Sequence, residues 1–330
     1  MKKVSSSLSL VLILLLVLAF KSSILDANNI PSGSMLPTLK IGDFLFVNKM
    51  RYSFRIPFSE QEIFRYDNPK RGDIVTFIPP DGALQEEDGV IFESRPKVHI
   101  PIISNLFAKR FVKRVVGMPG DQLKVEQRIM KTIRGDFVSY TYLQFKEKGS
   151  DTFQSYDPIP IAHGKELSDL DNTRAFGKAL FKEKKRDFDH YVLEGIHAAT
   201  YTYVKKYCPD SVCTIPEDHY LVMGDNRDDS SDSRFWGLVK RDDILGKALI
   251  LYFSINWKDH TCMFKEIPED NDIDHIFSYR LEEDEAKKYC HPSEMGLESP
   301  EGLGSELSRW LLYRIPRMEI RWNRIGRILK

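Results

Sequence analysis

The stretch Asn29-Ile30-Pro31-Ser32-Gly33-Ser34-Met35-Leu36-Pro37-Thr38-Leu39 sets two hydroxyls, Ser32 and Ser34, around one glycine and between two prolines. Pro31 and Pro37 restrict their own φ and the residue before each, so the backbone is stiff on both sides. Gly33 can take a conformation closed to other residues and so present Ser34 at the tip of a tight bend. A hydroxyl on a stiff apex suits a nucleophile, which must meet its substrate at a fixed angle. The same residues also make an ordinary polar turn, and the stretch alone leaves both readings open.

Immediately upstream, Met1-Lys2-Lys3 precedes an apolar run from Leu8 to Phe20, closed by Lys21. A spanning helix needs about 20 apolar residues, a length reached when Val4 to Ser7 and Ser22 to Leu25 are included. A basic start and an apolar stretch also fit a cleaved secretory signal. The residues after Phe20 offer no clean small-x-small cleavage site, because Leu25 stands two positions before Ala27, so an uncleaved anchor is expected. Lys2 and Lys3 then stay cytoplasmic and the chain after Lys21 lies outside.

The 330 residues suffice for one large or two medium domains, and 42% hydrophobic with 29% charged residues is a globular composition. A net charge of +0 gives no reason to expect nucleic acid as a partner. Four cysteines are too few for a disulfide scaffold. Cys208 and Cys213 bracket a short turn where a bridge is sterically reasonable. For His260, Cys262, Cys290 and His291 a disulfide is preferred over zinc, whose ligand spacing would be unusual.

Ile41–Asn48, Ile74–Ile78, Ala248–Ser254 and Met318–Trp322 read as strands, with 49–67 a basic, aromatic loop near lipid headgroups. Phe111-Val112-Lys113-Arg114-Val115-Val116-Gly117 alternates, placing Phe111, Lys113 and Val115 on one face and Val112, Arg114 and Val116 on the other. Two adjacent cations in an apolar strand mean that at least one points inward. Burial of a lysine lowers its pKa, and a drop of about three units makes it a usable base at a cost of about 4 kcal/mol. A sheet-edge charge is the alternative. From 127 to 216 Tyr, Lys, Asp and Glu rise, a helix is expected over 173–185, and His163, His190 and His197 lack metal spacing. A third stretch, His219 to Val239, ends an apolar strand at Gly224 and continues as Asp225-Asn226-Arg227-Asp228-Asp229-Ser230-Ser231-Asp232-Ser233-Arg234. Such a loop is ordered only if its charges answer one another, for instance Asp225 or Asp232 with Arg227 or Arg234. It lacks the glycine and terminal glutamate of a calcium loop.

Residues 31–39, 113–121 and 224–234, in this order after an apolar N-terminal segment, resemble the signature boxes of bacterial type I signal peptidases (leader peptidases). The resemblance covers roughly 26–128, 218–256 and 321–326. It implies a mostly β (α+β) fold and a serine peptidase with a Ser/Lys dyad, needing no cofactor or metal. Ser34 matches the nucleophile, Lys113 the general base, Ser32 an oxyanion-hole hydroxyl and Ser230 the residue that orients the lysine. Asp225, Asp232 and Arg234 match positions that brace the loop. Phe111 and Val115 are expected to exclude water from Lys113, and Ile30, Met35 and Val112 to line the pockets for small side chains. Asn28 replaces a larger apolar residue of the family. Exported preproteins and membrane lipid are the implied partners, a monomer is expected, and the implied location is the inner membrane with the catalytic domain periplasmic.

The resulting organisation is an anchor (1–25), a catalytic β core (26–128, 218–256 and 309–330, with an irregular insertion at 79–110), an inserted cap (129–217) and a surface insertion (257–308). The basic, aromatic C-terminus suits an anionic membrane interface. The alternatives are a specialised Ser/Lys peptidase with a narrow set of secreted or pilin-type substrates, or an inactive membrane-tethered paralogue that only binds.

Overall fold

Leu45 and Val47 are buried while Phe44 and Phe46 are half-exposed, the alternation of a strand with one face on a core. This strand, Asp43–Asn48, lies between Leu25–Asn29 and the long strand Ile244–Asn256 in an antiparallel sheet. Beyond the long strand follow Ile74–Phe77, Phe111–Gly117, His219–Met223 and Val239–Lys240, and the short strand Glu319–Ile320 pairs with the far end of Ile244–Asn256. The computed structural model describes residues 6–57, 61–80, 83–85, 91–92, 108–131, 137–155, 157–161, 178–185, 188–195, 212–262, 288–295 and 302–329.

The long strand breaks register between Ala248 and Ile250 and again between Leu251 and Phe253. Each irregularity bends the strand and increases its twist, so the sheet curls instead of lying flat. Inside the curl, Ile30, Met35, Leu39, Leu45, Val47, Ile74, Ala248 and Leu251 form one core cluster. On the other side of the same strands Tyr52, Val75, Phe77, Val115, Tyr220 and Val222 form a second. The C-terminus closes the first cluster: Leu329 packs into it, and Arg324 donates to both oxygens of the buried Asp43 and to Thr38 O.

Two expectations fail. Residues 178–185, expected to be helical, form the strand Lys178–Lys185, paired along its whole length with Phe188–Gly195. Its composition suits a helix, but Leu180, Phe181 and Glu183 are buried, covering both faces of the strand, and tertiary burial overrides propensity. Residues 49–67, expected to be a loop, contain a helical turn, Lys49–Arg51, and a hairpin of Ser53–Arg55 with Glu62–Arg65. Arg55 anchors that hairpin through Glu62 and Ile244 O.

Between the lysine strand and the polar loop stand two further sheets. One joins Gln122–Lys131 with Phe137–Lys146 and Val212–Thr214; the other joins Asp157–Ile161 with Lys178–Lys185 and Phe188–Gly195. Cys262 is disulfide-bonded to Cys290, which removes both thiolates from any zinc set. Cys213 is also disulfide-bonded, while Cys208 lies outside the described residues, as do His163 and His197. The helix Ser6–Ser23 exposes Leu10, Leu12, Ile13, Leu16 and Phe20. Among the described residues no helix is long and apolar enough to cross a membrane.

Asp43 carries no exposure and accepts from Arg324, Ser254 and the Lys40 amide. Removing Arg324 leaves that carboxylate buried with its main cation gone. Arg324→Ala is expected to destabilise the fold by about 3 kcal/mol, measured by urea unfolding; a loss below about 1 kcal/mol would show that the C-terminus is not a clasp.

Candidate active site

The segment after Pro31 turns sharply over Ser34–Thr38, with Gly33 O accepting from Leu36 N–H (3.1 Å) and Met35 O from Leu39 N–H (2.9 Å). Gly33 does not take the left-handed conformation expected of it; the described glycines with positive φ are others, such as Gly42, Gly72 and Gly120. The bend is held from outside instead. Asn226 donates its side-chain amide to Gly33 O (3.0 Å) and its backbone N–H to Ser34 O (3.1 Å). Ser32 and Ser34 stand with their hydroxyl oxygens 3.4 Å apart.

Lys113 reaches this apex from the central strand Phe111–Gly117. Its Nζ lies 2.5 Å from Ser34 Oγ, and the residue is 4% exposed. Burial pulls its pKa down from 10.5 to about 8; Arg234 adds to the depression, while the carboxylates of Asp232, Asp225 and Asp229 pull the other way. The Phe111 ring sits with its centroid 5.8 Å from the amine, and Val115 is fully buried nearby along the strand. Arg114, the adjacent cation, is buried as well. It binds Asp225 through two nitrogens (2.9 and 2.8 Å) and Gly72 O (2.8 Å), so both cations of the strand turn inward to different partners.

The loop 224–234 surrounds the pair. Asp232 accepts from Arg234 Nε (2.7 Å) and Nη2 (2.8 Å), from Gly224 N–H (2.9 Å) and from the Ser230 hydroxyl (2.7 Å). Burial pushes the carboxyls of Asp225 and Asp232 upward, but Arg114 and Arg234 respectively outweigh it and hold both below the usual range. Ser230 is thus bonded to Asp232 and not to Lys113. Gly224 lies against both: a Cβ there would come 2.2 Å from Ser230 Oγ and 2.4 Å from Ser34 O.

The hydroxyl and the amine open into a cleft of about 520 Å³. Asn28, Ile30, Pro31, Met35, Phe111 and Val112 are among the residues that line it. Ile30, Met35 and Val112 belong to the core cluster behind it. Ser32, Ser34, Lys113, Ile30, Met35 and Val112 are therefore brought together; Ser230, Asp225, Asp232 and Arg234 form the wall behind. Thr38, which donates to Asp225, and Asn226 escaped the sequence reading. Asn226 sits inside the quoted loop, but its targets are backbone oxygens, which leave no mark in a sequence.

The model of the family described as "Signal peptidase, peptidase S26" matches residues 3–253. The chain belongs to that family. Signal peptidase I of Haemophilus influenzae is 31% identical over 253 residues, 75% of this chain and 68% of its own length. Signal peptidase I of Buchnera aphidicola subsp. Schizaphis graminum is 32% identical over 254 residues (74% and 73%), and that of Aquifex aeolicus 31% over 257 residues (74% and 82%). The solved structure of a signal peptidase I from Enterococcus faecalis is 18% identical, covers 55% of this chain and 97% of its own, and superposes with a TM-score of 0.23, too small a likeness to bear on the fold.

In this signal peptidase family member the space above Gly224 is filled by backbone on one side. Gly224→Ala must displace the Ser34 carbonyl or break the Ser230–Asp232 bond, and is expected to lower peptidase activity at least about a hundredfold. Lys113→Met removes a buried amine whose protonated form is disfavoured by burial, so it is expected to raise the melting temperature at pH 7 while removing activity. A fall in melting temperature would mean that the neighbouring carboxylates more than compensate the burial of the protonated amine.

Proposed function

We propose that this protein is a membrane-bound serine endopeptidase that removes N-terminal signal peptides from exported preproteins after small-x-small sites. Family membership supports the reaction class, and the observation that carries the mechanism is the 2.5 Å approach of the buried Lys113 amine to the Ser34 hydroxyl. Lys113 in its neutral form takes the Ser34 proton as the oxygen attacks the scissile carbonyl, and returns it to the leaving amine when the C–N bond breaks. The acyl ester on Ser34 is then hydrolysed by water that gives a proton to the same amine, which passes it to Ser34 Oγ as the ester bond breaks. Ser34 N–H and the Ser32 hydroxyl donate to the oxyanion. Asp232 fixes Ser230, and the Ser230–Asp232 pair orients the wall that keeps Lys113 dry.

The cleft supports an extended peptide as substrate. Its two sides are the ends of the strands Leu25–Asn29 and Phe111–Gly117, so a bound chain can add main-chain hydrogen bonds and drop alternate side chains onto Ile30, Met35 and Val112.

Lipid contact is the reading best suited to the helix Ser6–Ser23. Its leucines are exposed on every side, and a helix apolar all round belongs in lipid or in a protein interior. The apolar run reaches a span of about 20 residues with Val4 to Ser7 and Ser22 to Leu25. On this reading the N-terminus is cytoplasmic and the catalytic residues stand on the outer side of the inner membrane, with exposed Trp310, Leu312 and Trp322 at the C-terminus suited to the same interface.

The test is incubation of the purified full chain, in detergent or vesicles, with a preprotein, the cut position being read by mass spectrometry. Ser34→Ala and Lys113→Ala are each expected to lower kcat at least about a thousandfold without unfolding. Because the amine must be neutral, activity should rise with pH through about 8 and level off above it. Near-normal cleavage by Lys113→Ala, or an optimum well below neutrality, would refute the mechanism.

A further inference from the structure

The hairpin Lys178–Lys185/Phe188–Gly195 lies in the inserted region, contributes nothing to the cleft lining, and yet buries charged side chains against the loop behind Ser34. Glu183 accepts both ends of the Arg227 guanidinium, Nη1 to Oε1 at 2.8 Å and Nη2 to Oε2 at 2.6 Å. His190 Nε2 stands 3.3 Å from the same carboxylate. Burial works against ionisation of Glu183, but Arg227 and His190 outweigh it and keep its carboxyl well below the usual range. The fork is buried, Glu183 at 1% and Arg227 at 4% exposure.

From this fork a short route leads to the nucleophile. Arg227 Nε donates to Gly224 O (3.2 Å), and Leu193 N–H donates to Asp225 O (2.9 Å), in a parallel bridge between Leu193 and Asn226. Asn226, flanked by these two supports, is the residue that holds Gly33 O and Ser34 O. Leu180 and Leu193 of the hairpin pack on Leu36, two residues past Ser34. Behind the loop the core supplies Arg114 to Asp225; in front the hairpin supplies Glu183 to Arg227.

We propose that Glu183 is a positioning residue: through Arg227 and Asn226 it sets the backbone of Ser34, so the inserted hairpin is a working part of the catalytic unit. The proposal rests on Ser34 acting as nucleophile. Two parallel charge-assisted bonds fix direction as well as distance. A buried ion pair adds little net stability over an apolar pair of similar volume, so its contribution lies in geometry. Small misplacements of a reacting group are costly, a shift of about 1 Å lowering rate about a hundredfold.

The experiment compares wild type, Glu183→Gln, Arg227→Lys and the double variant Glu183→Met/Arg227→Met in preprotein cleavage, with melting temperatures alongside. Each folded variant is expected to lose about tenfold or more in kcat with KM within about twofold, because the cleft lining is untouched. The double Met variant, whose apolar pair restores packing, should melt near wild type and still be slow. Combining Glu183→Gln with Arg227→Lys should cost no more than the worse single change, as expected of two groups acting as one. Amide hydrogen exchange gives a readout independent of cleavage: Asn226 and Leu193 N–H should exchange about tenfold faster in Glu183→Gln. Unchanged kcat in a folded variant, a loss confined to KM, or a double Met variant as fast as wild type would overturn the proposal. Failure of the wild type to cleave at all would refute the peptidase reading instead, and unchanged exchange would then refute the positioning role separately.

Discussion

An amine held away from water beside a hydroxyl is the constraint on which the remainder of the site depends. The Lys113 amine can act as a base only while no carboxylate is free to pair with it, because a salt bridge would fix its proton. Yet Asp225, Asp229 and Asp232 all lie close enough to raise its pKa. The protein resolves this by giving Asp225 to Arg114 and Asp232 to Arg234, each through two guanidinium nitrogens. Arg234 also acts on the amine directly, adding to the depression that burial causes. Burial is what disfavours the charge on Lys113, and the pairing of its acidic neighbours with arginines keeps them from reversing that effect.

That solution demands a particular architecture. Ser34, Lys113 and the loop 224–234 come from three distant segments and must meet within hydrogen-bond distance. A flat sheet would spread them out; the register shifts along Ile244–Asn256 bend and twist the strand, which brings the three segments together. Only a residue without a side chain fits at 224, where the loop passes the Ser34 carbonyl. The C-terminal Arg324 ties Asp43 and Thr38 together, so the end of the chain braces the turn that carries Ser34.

The elements legible in the sequence were those whose reason is local. Apolar, aromatic and β-branched runs announced the strands at 43–48, 74–77 and 219–223, alternation announced that at 111–117, and the juxtaposition of two cations in the last marked Lys113. The polar loop had to contain internal pairs, and Asp232–Arg234 is such a pair. What could not be read were partners set by the fold. Arg227 looked equally able to serve Asp225, but its partner, Glu183, is 44 residues away in a strand whose composition resembled a helix. Arg114 takes Asp225 across 111 residues. Gly33 invited a left-handed turn, whereas the bend is secured by Asn226 from another segment, an arrangement with no local signature.

The helix Ser6–Ser23 runs almost directly into the edge strand Leu25–Asn29, and the joint is stitched by Lys49, whose amine donates to Ser22 O and whose backbone N–H donates to Ile24 O. Arg110, beside the cleft, reaches back to Asp26 in that strand. Five residues of strand advance about 17 Å, so the height of the cleft above the helix end is set by one short, paired strand instead of a flexible tether. On the reading that the helix lies in lipid, a substrate with its own apolar segment in the same bilayer must present its cleavage site at that height. Selection of where a chain is cut then comes from two sources at once. On that reading the residues lining the cleft select the side chains, and the rigid link to the helix selects how far from the apolar segment they lie.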